Sequence, residues 1–589
     1  MKKTIAGIVT IVMIALLSSC VVYGQNMDFV QGSFLWQEEE YLMGVPAETA
    51  CSTLNKNFKT NAVVRNGEGT VLSDIDYVGT GSEVTGAGKL TTVILGDVTG
   101  DGKITSTDYI RIKSFFQGAF NLQGSYAKAA DVDSSGKITS TDYMQIKKNF
   151  SGELNLYEDM KIEPYASEYE YTDYDTGRYR MDRSRINIGV FDFTKAISDD
   201  AHMKAFKDDF GGDFIVWGSN SATFYKMCEK YQVGFFASNK NLPRYTFGNA
   251  PEKLDPTSFE EFENKLAAYS DDYTCLWGDD VFDEPVAAYF DWMKGATERY
   301  QAKFSDRFIY FNLHPVALGG SGSGYGAANY SDYISQYIEK VNTDYISFDI
   351  YPFDNQYTGM HPYYLENLDI VASACRETGR DFWIITQVGS TDTSKQMNAE
   401  QVSWQMYTAL AYGAKSIIHA CYTPCWWVDG TSLVNADGTY TELWSSVSAL
   451  NADVKALSDV YMQYDSLGVF GMGTTKDSFI ATQIRNQNRR NSAKGYGEAR
   501  GFSDITASRG LLVGSFEKHE GDGYAMMLVD SSDPYKGDNG TNTITFRTAV
   551  SSEVKVTAYI DGTSQVLTST DGVYTVEIAN GQGCFVTVE

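Results

Sequence analysis

The chain has 589 residues, 43% hydrophobic and 21% charged, which is ordinary for globular domains and excludes wholesale disorder and a fibrous repeat. At about 150 residues per domain it should form roughly four units. Its 76 Asp and Glu outnumber 48 Lys and Arg, a net charge of -28 that repels phosphate backbones and argues against nucleic acid as a partner. Aromatic residues reach 14%, and exposed rings offer stacking platforms for flat apolar ligand faces such as those of sugars.

At the amino terminus, Lys2 and Lys3 precede an uncharged apolar run from Ile5 to Leu17, short for a membrane span and the right length for a secretory signal. The chain is therefore expected to be exported, with residues 1–24 as the signal. Leu17-Ser18-Ser19-Cys20 resembles a bacterial lipobox, which would place a lipid anchor on Cys20; cleavage after Val22-Tyr23-Gly24 is the alternative. Seven scattered cysteines follow Cys20, an odd number that implies no disulfide framework. Cys421 and Cys425 lie close together, but without partner ligands in register they make a poor zinc signal. Five histidines leave little material for a Ser-His-Asp hydrolase.

Residues 26–93 read as a small β-rich module, with Val63-Val64 and Leu90 to Leu95 as strand candidates and no evident chemistry. An internal repeat comes after it, Asp97 to Asp108 echoed by Asp131 to Asp142. A hard cation needs several converging oxygens. Loop positions 1, 3, 5 and 12 supply side chains, position 7 a carbonyl and position 6 a glycine for the sharp turn. The ligands are then Asp97, Thr99, Asp101, the Lys103 carbonyl and Asp108, and in the copy Asp131, Asp133, Ser135, the Lys137 carbonyl and Asp142. Two structural calcium ions are expected, and no catalytic cofactor.

Each loop leads into an amphipathic stretch, Tyr109 to Lys113 and Tyr143 to Lys147, with no comparable helix before it. A loop-then-helix unit with Asp at position 12 departs from an EF-hand sensor. Over about residues 94–153 it resembles type I dockerin, the module that plugs enzymes into cohesin domains of bacterial cellulosome scaffolds. The resemblance implies an extracellular, scaffold- or cell-surface-associated protein, with cohesin contacts through Ser106, Thr107, Lys113, Ser140, Thr141 and Lys147. A calcium-stabilised spacer is the plainer alternative.

Residues 154–184, acidic and Tyr-rich, read as a linker. Over 185–463, strand-like runs recur at Ile186–Phe193, Phe214–Trp217, Val233–Ala237, Thr274–Val281, Phe308–Leu313, Tyr345–Tyr351, Phe382–Gln387 and Ser416–Tyr422. Helix-period segments between them include Phe259–Ala268, Val286–Phe304, Tyr330–Asn342, Leu365–Thr378 and Ala399–Tyr412, with Glu442–Leu457 closing the series. Count and length match a (β/α)8 TIM barrel; a doubly wound sheet would show an early GxGxxG, and none is present. The chain thus reads as a multidomain α/β protein: a small β-rich module, a calcium-binding all-α module, the barrel, and a C-terminal β-sandwich.

In such a barrel the chemistry gathers where strands end. The candidates are Asp192, Trp217, Asp280, Glu284, Asn312, His314, Asp349, Tyr351, Gln387, His419 and Tyr422, with Trp426 and Trp427 in the last loop. Strand alternation puts Asp280 and Glu284 on one face and Asp279 and Asp283 on the other. Here, through Gly278 to Pro285 and the tract Gln405 to Lys415, the chain resembles clan A glycoside hydrolases and related barrels. That resemblance implies Glu284 as general acid/base after strand 4, although Asp283-Glu284-Pro285 also suits a plain helix start. The family's nucleophile position after strand 7 falls on Gln387, and an amide cannot attack an anomeric carbon. Asp349 is the substitute: Ser347, Asp349 and Tyr351 share a face. Strands 4 and 6 are a strand apart, which suits the wider carboxyl spacing of an inverting reaction with Asp349 as base. An inward hydrogen-bonding anchor is the other role open to Asp349.

From residue 464 to 589 short alternating runs at Leu511–Ser515, Tyr524–Val529, Thr543–Phe546, Val554–Ile560, Val573–Ile578 and Cys584–Val588 predict the β-sandwich, with the basic stretch Arg485 to Arg500 as a solvated loop. The expectation is a secreted glycoside hydrolase cutting a polysaccharide from a scaffold. The alternatives are a non-catalytic carbohydrate-binding barrel and a surface component held through Cys20.

Overall fold

A computed structural model describes residues 27–589 apart from 28, 31–32, 34, 87, 134, 158–159, 161, 163–179, 194–196, 239, 247–253, 256, 272, 317–324, 354–360, 474–477, 495–497, 521, 532–539 and 551–553. The expected signal and lipobox at Cys20, and most of the expected linker, lie outside the described residues. The chain forms two compact units, one up to residue 166 and one from 167 onward.

In the first unit, β1 (Trp36–Glu38), β2 (Tyr41–Met43), β3 (Val63–Arg65), β4 (Glu83–Thr85) and β5 (Lys89–Thr92) form a sheet in the order β1-β2-β5-β4-β3, with α1 (Cys51–Asn55) between β2 and β3 in the chain. Helices α2 (Ser106–Phe116), α3 (Ser125–Ala130) and α4 (Ser140–Ser151) come next. Both α2 and α4 start in a capping box, Thr105 with Asp108 and Thr139 with Asp142. The twelfth loop residue therefore satisfies orphan amides of the helix as well as facing the loop. Met43 and Val93 of the sheet pack with Val98, Ile112, Ala129 and Ile146, so β-module and helices share a core.

In the second unit, eight parallel strands close on themselves: β6 (Asn187–Phe193), β7 (Phe214–Gly218), β8 (Gly234–Ser238), β10 (Leu276–Asp283), β11 (Phe308–Leu313), β12 (Tyr345–Asp349), β13 (Asp381–Gln387) and β14 (Ala414–Ala420), with β14 paired back to β6. A two-residue β9 (Tyr245–Thr246) adds to the C-terminal end of β10. Helices α5 (Asp200–Asp208), α6 (Ala222–Lys230), α7 (Glu260–Ala268), α8 (Phe290–Lys303), α9 (Tyr330–Lys340), α10 (Tyr364–Thr378), α11 (Ala399–Ala411) and α12 (Glu442–Tyr461) each succeed one barrel strand. Closure excludes the doubly wound alternative. Phe214, Phe236, Trp277, Tyr310, Tyr345 and Trp383 fill the interior, so the cylinder is a packed core open to chemistry only at its strand ends.

The chain continues through β15 (Tyr464–Met472), α13 (Ser478–Lys494), β16 (Phe502–Ala507), β17 (Leu511–Lys518), β18 (Tyr524–Asp530), β19 (Thr541–Thr548), β20 (Val556–Ile560), β21 (Thr563–Val566), β22 (Tyr574–Ala579) and β23 (Gly583–Val588). They form a six-stranded sheet, β15-β17-β18-β23-β20-β21, and a three-stranded one, β16-β19-β22. Arg485 to Lys494, expected as loop, is helical within α13. Ile480, Gln483, Ile484 and Gln487 form a buried face there. Its amide side chains are bonded to main chain: Gln487 Nε2 donates to Val469 O at 2.8 Å, and Asn488 Oδ1 accepts from Gly471 N at 2.8 Å. The sandwich sits on the barrel through glycines. A Cβ on Gly514 would lie 2.4 Å from Ala411 O, and one on Gly583 would lie 2.2 Å from the Tyr407 ring.

Candidate functional site

The acids of β10 divide between two faces, but not as strict alternation predicts. Asp279 points outward, where the Tyr269 and Tyr300 hydroxyls donate to its carboxylate and burial pushes its pKa up to about 7. Asp280 points inward and accepts from Ser238 Oγ at 3.0 Å and from Arg244 Nε. Asp283, expected beside Asp279, is instead inside, 3.2 Å from Arg244 Nη2 and 3.2 Å from Asn312 Nδ2. The cause is a register shift against β11 between Asp280 and Phe282. Val281 and Phe282 both enter the core outside the barrel, which resets the parity of the residues C-terminal to them.

Glu284 comes next, with φ of 52°, and its N–H donates to Asn312 O at 2.7 Å. One carboxylate oxygen lies 3.6 Å from His314 Nδ1. Asp192 and Trp217, at the ends of β6 and β7, also have positive φ, 69° and 64°. Such backbones cost on the order of 1–3 kcal/mol each, and here all three gather at one mouth.

Asn312 organises the floor of that mouth. Its Nδ2 is shared between Asp349 Oδ1 at 2.8 Å and Asp283 Oδ1 at 3.2 Å. Burial first, then the charges of Glu284 and Asp283, hold the Asp349 carboxyl well above the usual carboxylate range, against the pull of the Asn312 hydrogen bond. Burial likewise raises Asp283 to about 6, partly offset by Arg244. Two carboxyls thus share one amide, and each disfavours the ionised form of the other. Asp192 accepts from Thr423 Oγ1 at 2.6 Å and is raised by burial to about 6.

Aromatic rings wall the cleft. Trp426, 41% exposed, lies with its ring centroid 5.6 Å from Phe191 and 6.3 Å from Tyr351, and Trp427 is 5.2 Å from Tyr351. Arg244 covers the Trp217 ring at 5.3 Å.

Two sequence candidates, His419 and Tyr422, do not reach the cleft, and the amide of a third, Gln387, is spent on main chain. His419 faces outward, bonded to Thr386 Oγ1 at 3.0 Å and Asn451 Oδ1 at 2.9 Å, and burial lowers its pKa to about 4. Alternation carried the signal, since Ile418 and Ala420 fill the interior on either side of it. Tyr422 lies beyond β14, stacked 5.5 Å from Phe193, and accepts from Trp444 Nε1 at 2.9 Å. Gln387 uses its amide on main chain, accepting from Phe353 N at 2.9 Å and donating to Gly389 O at 3.0 Å, and so braces two loops. Conversely, Arg244, Ser238 and Thr423 were not foreseen. Arg244 sits in an irregular stretch before β9, where no local pattern marks it.

In the calcium-type loops, carboxylate oxygens of Asp131, Asp133 and Asp142 lie within 4.8 Å of one another, and Ser135 Oγ donates to the Lys137 carbonyl at 3.1 Å. In the first loop Asp97 and Asp108 are buried, and the Thr99 hydroxyl lies 2.9 Å from Asp108 and 3.5 Å from Asp97. The all-oxygen, acidic set of the second loop fits a hard divalent cation such as calcium, whereas the three first-loop carboxylates are not gathered in the same way among the described residues. Thr107, Lys113, Ser140, Thr141 and Lys147 are exposed on α2 and α4, and Ser106 is half-buried.

Residues 95–151 match the dockerin type I domain. A search of curated proteins finds no match. Among solved structures the chain is similar to the glycoside hydrolase family 30 subfamily 8 xylanase Xyn30A from Clostridium acetobutylicum, at 12% identity and TM-score 0.36, covering 69% of this chain and 96% of that one. A GH30 endoxylanase from Clostridium papyrosolvens aligns at 10% identity and TM-score 0.35, over 68% and 95%. A GH42 beta-galactosidase from G. stearothermophilus aligns at 8% identity and TM-score 0.42, over 70% and 100%. Similarity at this level assigns neither residues nor substrate. A dockerin, a closed (β/α)8 barrel and a β-sandwich together are a domain make-up consistent with a cellulosomal glycoside hydrolase.

Proposed function

We propose that the chain is an extracellular glycoside hydrolase acting on a polysaccharide and attached to a cohesin-bearing scaffold by its dockerin. The observation that supports this reading is the buried carboxyl group of Asp349, hydrogen-bonded to Asn312, with Glu284 at the same C-terminal mouth of the barrel and aromatic rings around it. The exposed Trp426 and the half-buried Tyr351 present faces on which sugar rings stack, with the buried Trp427 behind Tyr351. In this mechanism Asp349 and Glu284 work as an acid/base pair. Its protonated member donates to the glycosidic oxygen, and its ionised member activates water on the opposite side of the sugar. The sequence reading made Glu284 the acid and Asp349 the base; the deeper burial of Asp349 favours the resting proton on Asp349. Asn312 fixes the spacing, and Arg244 keeps Asp280 and Asp283 in place. Two calcium ions, held by Asp97, Thr99, Asp101, Asp108 and the Lys103 carbonyl, and by Asp131, Asp133, Ser135, Asp142 and the Lys137 carbonyl, would order the loops that present Ser106, Thr107, Lys113, Ser140, Thr141 and Lys147 to cohesin.

A second reading, a barrel that binds glycan without cutting it, is favoured by Gln387, whose amide occupies the end of strand 7 and is spent on main chain. Reducing-sugar release from a glycan panel separates the two. The expected result is turnover that falls at least about a hundredfold in both Glu284→Gln and Asp349→Asn, with glycan binding kept and an inverted anomer released first by NMR. Binding without turnover by the unaltered chain would establish the second reading.

A further inference from the structure

The two calcium loops are copies in sequence but not in surroundings. In the second, a Cβ built on Gly136 would meet nothing within 4 Å, and Asp133, Ser135, Gly136 and Lys137 are exposed. The first is enclosed by the β-rich module. A Cβ on Gly100 would lie 2.7 Å from Thr80 O, one on Gly102 would lie 2.7 Å from Val78 O, and one on Gly79 would lie 2.0 Å from Gly100 O. Glu48 N donates to Gly102 O at 2.7 Å, and the Lys103 ammonium lies 5.0 Å over the Tyr77 ring.

The leading carboxylates differ in the same way. Asp97 accepts from the amides of Asp101 at 3.2 Å and Gly102 at 3.0 Å, as Asp131 accepts from those of Ser135 at 2.9 Å and Gly136 at 2.7 Å. Asp97 accepts in addition from Thr80 N, at 2.8 Å, a donor outside its own loop. Thr80 is itself fixed, its hydroxyl accepting from Ile94 N at 3.0 Å.

We propose that residues 77–82 of the β-rich module clamp the first calcium loop, so that it keeps its shape when calcium is withdrawn, while the second loop depends on the ion. The proposal rests on the calcium reading above. In the second loop, Asp131, Asp133 and Asp142 converge where no described residue comes within 4 Å of a Cβ on Gly136, and a cation would offset the repulsion that the loop's own amides leave. In the first, tertiary contacts supply the ordering that the ion supplies in the second. Calcium control then acts on the start of α4, at Ser140 and Thr141, and leaves the start of α2 in place.

Hydrogen exchange of the full chain, with calcium and then with a chelator, tests this. Peptides over 131–142 are expected to lose protection by about tenfold or more on chelation, and those over 97–108 by less than about twofold. Equal loss in both overturns the clamp. Protection kept in both while calorimetry shows calcium binding also overturns it, because the second loop then holds without the ion. A flat calcium titration overturns the calcium reading itself, and the clamp with it. In Gly79→Ala, whose added methyl collides with the Gly100 carbonyl, the 97–108 peptides are expected to become chelation-sensitive with 131–142 unchanged. Tyr77→Ala, a gentler loss of the cover over Lys103, is expected to do the same in smaller measure. First-loop protection unchanged by chelation in both variants refutes the assignment.

Discussion

Arg244→Met isolates the electrostatics of the cleft. Arg244 joins Asp280 and Asp283, and the Asp280 and Arg244 side chains are 1% and 12% exposed. Removing one partner of a buried ion pair typically costs about 3–5 kcal/mol, because the other charge stays behind unpaired. Part of that loss depends on pH. Asp283 has a folded pKa of about 6 against an ordinary 3.8, so the folded state binds the extra proton. Its penalty is absent below the unfolded value, grows as pH rises between the two, and is complete above about 6. Two units correspond to roughly 3 kcal/mol for an enclosed group, and about 2 kcal/mol for Asp283, whose side chain keeps 27% of its surface open. Arg244 holds the folded value down, so its loss moves the upper limit of this window higher. Thermal unfolding at pH 5 and pH 8, monitored by calorimetry of the barrel transition, should show Arg244→Met lowering the midpoint at both, and clearly more at pH 8, where a protonated Asp283 no longer softens the loss. An equal shift at the two pH values would refute the coupling between Arg244 and the cleft carboxyls.

His419 gives the opposite dependence. Its folded pKa of about 4 lies below the ordinary 6.5, so its contribution is present above pH 6.5 and is lost as pH falls toward 4, by about 3 kcal/mol. His419→Gln should flatten that acid limb in a stability–pH profile, and an unchanged slope would count against a buried neutral imidazole. Gly514→Ala forces a methyl against Ala411 O, and overpacking of this kind costs about 1–3 kcal/mol. The barrel and sandwich transitions should both fall in calorimetry; a loss confined to the sandwich would show that the two do not brace each other.

Much of this molecule is written locally. Barrel strands are buried on both faces and so appear as continuous apolar runs, which is why all eight lie within a few residues of their expected places. The duplicated loops are equally legible, because oxygen ligands at fixed offsets and a glycine at position 6 are demands of the cation itself. The aromatic and acidic residues at the strand ends are set by where barrel strands stop. Two expectations that failed did so for different reasons, one local and one tertiary. His419 was assigned to the cleft although its neighbours Ile418 and Ala420 already set its parity outward, and the basic stretch from Arg485 was expected as a loop because the β15 main chain that bonds Gln487 and Asn488 lies elsewhere in the fold.

Tertiary structure alone decided the site's charge balance. Asp283 faces inward because β10 shifts register against β11, and a register shift is a property of two strands, invisible in either. Arg244 reaches Asp280 across 36 positions of chain from a segment with no period. Burial, then the charges of Glu284 and Asp283, push the Asp349 carboxyl above the ordinary carboxylate range, so that shift comes from the closure of the barrel. The two calcium loops, near-identical as text, differ because one lies under Thr80 and Gly79 and the other under solvent. Periodicity records which residues share an element; which elements meet, and what dielectric they enclose when they do, appears only once the chain has closed on itself.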